Sequence, residues 1–547
     1  MHTNCASNTP LGLPTRVIDV GPSDSTGGDG SGYPRILVPQ GLKAPYIALS
    51  HCWGGPVSSL LTSKTIGAFQ DELIYSTLPA NFRDAITITR KLNIRYLWID
   101  TLCILQDSSE DWAKESANMG LVYRKSALTI FAISSERSTC GILQPFPKAS
   151  PKQNVTLRVA SSGAARGDVT VVAELPHSSH EVLAALVFNS PLSNRGWALQ
   201  ELTMSPRRLY YGRDQAHWGC RQAYNSLDGC TWPINLLYGS SPETEAYLQS
   251  DILRQPLLGI PGIHILLRGY YFLVQQYTSC RLTNRNDKLP ALSGLSARLH
   301  RALGGQHVAG LWSIDLARGL LWDSISSSER PPSSTFRAPS WSWAATDDTV
   351  AYDRWNFECF PSLIKLTDCK VELAEQSNPY GEVIAARLLV EGLAAPLVRG
   401  SPADHVWRGQ PPMYVGYANF DKEMKRWGDH RPLWLETADK GCQLVIGYSK
   451  HGVKGSDPTD FEDLDIDLGQ SPALQYVALL VSHAPKEWGR SPARGLVLQP
   501  DASGRLYKRV GRFAMDVLPY ENASIDPGPE ENRYRRQGWR TQAMTLV

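Results

Sequence analysis

Between Tyr46 and Ile133 the sequence alternates short, wholly apolar runs with one-sided amphipathic stretches, and this alternation constrains the fold more than any other feature. Tyr46-Ile-Ala-Leu-Ser50 is apolar up to its last residue and is followed by the turn signal Gly54-Gly55-Pro56, as expected of a buried strand. From Pro79 to Lys91, Phe82, Ile86 and Thr89 recur at helical spacing behind a proline suited to a first turn. Arg95-Tyr-Leu-Trp-Ile99 is a second buried strand ending at Asp100. Ser108-Ser-Glu-Asp111 is a capping box that opens a helix with Trp112, Met119 and Val122 on one face. Ala127 to Ile133 is a third strand. Apolar strands separated by one-sided helices predict a parallel sheet covered on both faces. Ligands of such sheets sit beyond the carboxyl ends of the strands. Ser50-His51, Asp100 and Ser134-Ser135 fall there.

The rest of the chain reads as further domains, since 547 residues exceed the ~100–200 of one ordinary domain. Residues 1–40 form an N-terminal extension with a Gly/Ser/Asp loop at 20–33, which neither follows a strand nor opens a helix and so carries no phosphate-binding signal. The α/β domain is expected over 41–220, closing with a helix in Asn194–Leu202 after a variable stretch at 134–190. A helical region follows over 221–330. In it Leu257–Val274 reads as a buried helix, because Pro261, His264 and Arg268 interrupt what would otherwise be a membrane span. The Ser/Pro-rich segment near 325–340 marks a boundary, with Pro339–Trp343 docking back on the body. A β-rich domain is expected over 340–547, where the runs at 388–392, 476–481, 495–498 and 507–511 predict a small antiparallel sheet or sandwich.

Composition excludes several classes. With 55 basic against 53 acidic residues and a net charge of +2, nothing points to nucleic acid. The ten cysteines show no C-x-x-C pair and no zinc spacing, so they read as reduced thiols of a cytoplasmic protein without a metal site. The N-terminus has no secretion signal. Sixteen Trp and 22 Tyr exceed what packing alone needs, which predicts that some line a pocket or an interface.

Three segments in order resemble the heterokaryon-incompatibility (HET) family. Tyr46-Ile-Ala-Leu-Ser-His-Cys-Trp-Gly-Gly55 is similar to that family's Y-x-A-L-S-Y-x-W-G, with His51 in place of the usual aromatic residue. Leu97-Trp-Ile-Asp-Thr-Leu-Cys-Ile-Leu-Gln106 continues through Glu110 and Met119–Tyr123. Arg195-Gly-Trp-Ala-Leu-Gln-Glu-Leu202 is the third, with Ser205 and Arg208-Leu209 after it. Weaker echoes, such as Leu13–Asp19, Asp287–Ser293 and Pro339–Trp343, extend the resemblance to about residues 13–345. The resemblance implies a fungal effector of self/non-self recognition that triggers programmed cell death, with other proteins or its own copies as partners.

The family is also similar in fold to the TIR domain, which implies a TIR/flavodoxin-like sheet. In NAD-cleaving TIR enzymes a Trp stands four residues before a helical Glu, the interval between Trp197 and Glu201. On this resemblance Glu201 is the catalytic candidate, and Ser50, His51, Asp100, Arg195 and Trp197 are the nucleotide-binding candidates. No cofactor is implied, and NAD is the candidate substrate. Cleaving its nicotinamide–ribose bond passes through an oxocarbenium-like state that a carboxylate can stabilise. Fold does not establish activity, so an adaptor without catalysis and an accessory protein with no death role remain open.

Each candidate also has a purely structural reading. Glu201 on a helix surface would pair with Arg195 or Arg207, and Arg207-Arg208 would be a solvated pair. Asp100 would cap backbone N–H groups, and His51 would be a satisfied edge histidine. Trp53 and Trp98 would be core. Cys103 reads as a small buried hydrophobe, with a Cys103/His51/Asp100 hydrolase as the alternative.

Overall fold

The computed structural model describes residues 12–22, 33–145, 153–160, 166–173, 181, 183–220, 223–227, 231–232, 260–326, 335–352, 362–399, 413–420, 433–435, 444–448, 476–483, 492–516 and 539–547. The chain divides into two compact units, Met1–Leu253 and Arg254–Val547.

The first unit is built on one mixed sheet. Its strands are β1 (Val17–Asp19), β2 (Arg35–Leu37), β3 (Tyr46–Ser50), β4 (Tyr96–Trp98), β5 (Leu128–Phe131), β8 (Arg207–Tyr211), β9 (Ala216–Cys220), β10 (Tyr224–Ser226) and β11 (Thr231–Trp232), with β6 (Gln153–Ala160) and β7 (Arg166–Ala173) forming a separate hairpin. Strand order is β11-β10-β9-β8-β5-β3-β4-β1-β2. Only the four central strands are parallel, β4 and β5 flanking β3 and β8 flanking β5. Both wings are antiparallel, which corrects the expected all-parallel sheet. The reason is connection length. β8, β9 and β10 follow one another through short turns, which can only reverse the chain, whereas parallel pairing needs a crossover of a dozen residues or more. Of the parallel strands, β3, β4 and β5 are the apolar ones, buried along nearly their whole length, whereas β8 alternates buried and half-buried residues.

The helices are α1 (Ile66–Asp71), α2 (Ala80–Lys91), α3 (Asp100–Cys103), α4 (Ser109–Lys125), α5 (Leu183–Asn189) and α6 (Gly196–Met204). α2 buries Phe82, Ile86 and Thr89 as their spacing requires. Ser108 caps α4 by accepting the Asp111 N–H at 3.2 Å. Arg16, just before β1, donates to the Cys103 carbonyl at 2.7 Å and pairs with Asp111, tying the N-terminal segment to α3 and α4. From β3 the chain goes first to β4 on one side and then to β5 on the other. The strand order therefore reverses at β3, where an open α/β sheet leaves a crevice at its carboxyl edge.

The second unit contains α7 (Ile260–Thr278), α8 (Ser293–Leu303) and α9 (Leu316–Leu320), the strands β12 (His307–Val308) to β15 (Thr349–Ala351), and a large β structure. α7 buries Leu266, Leu267, Tyr270, Leu273, Val274 and Tyr277. Among the described residues no helix is long and apolar enough to cross a membrane. Trp341 and Trp343 are fully buried, the Trp343 Nε1–H donating to the Gly310 carbonyl at 2.8 Å. The linker residues 327–334 lie outside the described residues.

The C-terminal strands are β16 (Lys365–Leu373), β17 (Val383–Arg399), β18 (Met413–Phe420), β19 (Leu433–Leu435), β20 (Leu444–Tyr448), β21 (Tyr476–His483), β22 (Pro492–Pro500), β23 (Leu506–Asp516) and β24 (Arg540–Leu546). They run β17-β19-β20-β18-β23-β22-β21 and return to β17, a closed barrel-like ring rather than the expected small sheet or sandwich. β17 makes closure possible. Its 17 residues pair with β16 and β24 over the first part and with β21 and β19 over the last. Closure leaves the ring without exposed edges. Among the described residues Trp98, Trp312, Trp322, Trp341, Trp343 and Trp539 are buried in cores, whereas Trp53, Trp112 and Trp218 are half-buried.

Candidate functional site

β3 ends at Ser50, and the following residues leave the sheet at its carboxyl edge. Two bonds over large sequence separations converge there. The Ser50 hydroxyl donates to Glu201 of α6, and Arg195, just before α6, donates through Nη1 to the His51 carbonyl. Asp100 opens α3 directly beyond β4. Its carboxylate accepts the Thr101 N–H at 2.8 Å and the Trp53 Nε1–H at 2.9 Å, and it lies 3.9 Å from Arg195 Nη2 and 4.0 Å from His51 Nδ1. Segments about 150 residues apart thus place Ser50, His51, Asp100, Arg195 and Glu201 in one cluster beside the strand-order reversal.

Burial ranks these groups. Glu201 is 1 % exposed and does not project into an open cleft. It is no helix-surface carboxylate either, because every residue of α6 is buried. Desolvation raises its pKa, and the Arg195 charge and the hydrogen bonds from Ser50 and Tyr123 work against that rise. Arg195 keeps 27 % of its side chain exposed. Desolvation would weaken its charge, but the Glu201 and Asp100 carboxylates outweigh it and hold the guanidinium more firmly protonated than usual. Trp53 is half-buried and the Asp100 side chain keeps 13 % of its surface, so Glu201 is the most deeply buried of the charged groups in the cluster. The half-burial of Trp53 is contrary to its reading as core, because its indole N–H turns to Asp100.

His51 is not a satisfied edge histidine. It is 1 % exposed, packs edge-on against Phe82 at 5.1 Å, and neither ring nitrogen has a hydrogen-bond partner among the described residues. Burial pushes its pKa down to about 4; Asp100 opposes the shift and Arg195 adds to it. The imidazole is thus neutral at pH 7, while an unfolded chain protonates it near 6.5. The sign follows from linkage: below pH 6.5 the unfolded state binds the extra proton, so stability present above 6.5 is lost as pH falls toward 4. We expect His51→Tyr to remove about 2–3 kcal/mol of that acid destabilisation, read as a flatter urea-unfolding profile between pH 6.5 and 4. An unchanged slope would show that other groups set the acid sensitivity.

Cys103 is fully buried, and burial pushes its thiol up to about 12, which removes the thiol-hydrolase alternative. Arg207-Arg208 is not a solvated pair. Alternation along β8 turns Arg208 inward, its guanidinium 5.2 Å from the Tyr224 ring centre and Nη1 donating to the Leu202 carbonyl at 3.2 Å. Arg207 Nη1 donates to the Ala127 carbonyl at 3.3 Å. Trp197 sits at the seam of α4 and α6, edge-on to Trp112 at 5.6 Å. Tyr123 is the participant that sequence reasoning missed. It hydrogen-bonds Glu201 and donates to the Leu49 carbonyl at 3.3 Å. Its place at the end of Met119–Tyr123, on the helix face that carries Met119, was the available signal. Among the described residues no group of three or more His, Cys, Asp or Glu could hold a metal ion.

A mixed α/β sheet with two carboxylates, an arginine and a neutral histidine gathered at the carboxyl ends of its parallel strands defines an α/β domain with a polar cluster at its strand-order reversal. Residues 46–201 match the family model Heterokaryon incompatibility protein (HET), so the chain carries a HET domain whose matched span ends at Glu201. No curated protein and no solved structure matches the chain.

Proposed function

We propose that the protein is an incompatibility effector that triggers programmed cell death on non-self recognition, and that its HET domain does so by cleaving NAD at the Asp100–Arg195–Glu201 cluster. One observation carries this reading: His51, buried with both ring nitrogens unpartnered among the described residues, stands 4.0 Å from Asp100. Buried polar groups are normally satisfied, and an exception at the carboxyl edge of a parallel sheet suits a ligand-binding role. The four parallel strands in the order β4-β3-β5-β8 support a TIR/flavodoxin-like comparison.

In this mechanism the nicotinamide–ribose bond breaks with its electron pair going to the pyridinium nitrogen. Positive charge develops on the ribose, and water completes the hydrolysis. Asp100 meets the ribose, Arg195 takes the phosphates, and the Glu201 charge acts from behind through a medium of low dielectric. The protein acts in the cytoplasm, with its own copies or an incompatibility partner as its contacts.

Glu201→Gln tests the mechanism, because it keeps size and hydrogen bonding while removing the charge. We expect a folded protein whose NAD consumption falls by about 10²–10³ and whose host cell survives. Killing at the parent level with undiminished NAD in both proteins would replace the enzyme with an adaptor that acts only through its surface.

A further inference from the structure

A second chemically organised cluster lies in the antiparallel wing of the first unit, outside the matched family span except for Glu181. His217 of β9 and Ser226 of β10 are direct partners in the ladder, so their side chains emerge on the same face. His217 Nδ1 lies 2.6 Å from the Ser226 hydroxyl, and His217 Nε2 lies 3.1 Å from Glu181 Oε1. The other Glu181 oxygen accepts the Arg213 N–H at 2.7 Å and the Asp214 N–H at 3.2 Å. Burial works against ionisation of Glu181, but the bonds from His217, Arg213 and Asp214 outweigh it and hold the carboxyl below its ordinary range. Residue 212 is Gly, and a Cβ there would overlap the Glu181 carboxylate. The turn between β8 and β9 is therefore built around this acid.

We propose that Glu181, His217 and Ser226 form a serine-nucleophile site that hydrolyses neutral carboxylic esters. The hydrogen bonds fix the tautomer: an ionised Glu181 takes the Nε2–H, which leaves the Nδ1 lone pair to accept the Ser226 proton. A hydroxyl, an imidazole acceptor and an acid in sequence are the parts that activate a serine, whatever fold carries them. His217 is 1 % exposed, Ser226 is 8 % exposed and the Glu181 side chain is 10 % exposed, so the imidazole is the innermost member, with the hydroxyl and the acid on its two sides, and Leu227, beside Ser226 in the chain, is 68 % exposed. The resting site carries one negative charge, which disfavours phosphate esters and favours an uncharged acyl group.

In the reaction the Ser226 oxygen bonds to the acyl carbon and its proton passes to Nδ1. The bond to the alcohol oxygen breaks, and that oxygen takes the proton from Nδ1. Water then attacks the acyl-serine, gives a proton to Nδ1, and the proton returns to Ser226 as the acid is released. Glu181 stays ionised and steadies the imidazolium.

The test uses the full chain, a fluorophosphonate probe and p-nitrophenyl butyrate. We expect a covalent adduct on Ser226, located by peptide mass spectrometry, and ester hydrolysis that disappears in Ser226→Ala. Glu181→Gln keeps the shape of the brace and lowers the labelling rate by roughly a hundredfold or more. Thermal melting of each variant accompanies the assay. An unlabelled Ser226 in the folded parent chain, or labelling that proceeds at the parent rate in a folded Glu181→Gln variant, would overturn the proposal and leave a structural brace.

Discussion

Trp98→Ala is expected to destabilise the first unit by about 3–5 kcal/mol, the usual cost of truncating a large buried aromatic. Trp98 is the last residue of β4, 1 % exposed, and its ring meets Tyr123 edge-on at 5.5 Å. Tyr123 bonds both Glu201 and the Leu49 carbonyl, so the cavity would open directly beneath the site. The Trp98 indole N–H has no partner among the described residues, so Trp98→Phe loses volume but strands no polar group and should cost clearly less. Urea unfolding followed by circular dichroism separates the two. A Trp98→Ala protein with the parent's midpoint would show that β4 does not carry the core of this sheet.

Removing Arg195 is the second large perturbation. Arg195→Ala deletes the counter-charge of Glu201 and Asp100 and the donor to the His51 carbonyl. Breaking a fully buried pair from one side costs ~3–5 kcal/mol. Because part of the Arg195 side chain reaches solvent, we expect about 3 kcal/mol, at the lower end. Most of that cost is the charge left behind, so Arg195→Ala combined with Glu201→Gln should be more stable than Arg195→Ala alone. A double-mutant cycle in urea measures the coupling. Additive effects would mean that Arg195 and Glu201 do not share one electrostatic unit.

The pairing also explains why Glu201 differs from the sequence-based picture of a surface carboxylate. Helical periodicity assigns a face only when one side is polar, and Gly196–Met204 has almost no polar side. A short helix that is buried all round gives its polar residues no choice but internal partners. The same limit applies to Arg208. Two adjacent arginines read as solvated until strand alternation sends one of them inward.

What the sequence determined by itself was local. Apolar runs at Tyr46–Ser50, Arg95–Ile99 and Ala127–Ile133, the Ser108 cap and the spacing of Phe82, Ile86 and Thr89 specify strands and helices, because hydrophobic period and capping chemistry act within a few residues. The motifs likewise placed Ser50 and Asp100 at strand ends and Glu201 on a helix. Tertiary structure alone decided which strand lies beside which, hence the antiparallel wings, the closure of the C-terminal ring through the long β17, and the meeting of Ser50 with Glu201 and of His217 with Glu181 and Ser226. Apart from the hairpin pair His217 and Ser226, those contacts join residues far apart in the chain, and their energies come from desolvation and charge pairing. Neither exists until the chain has closed around them.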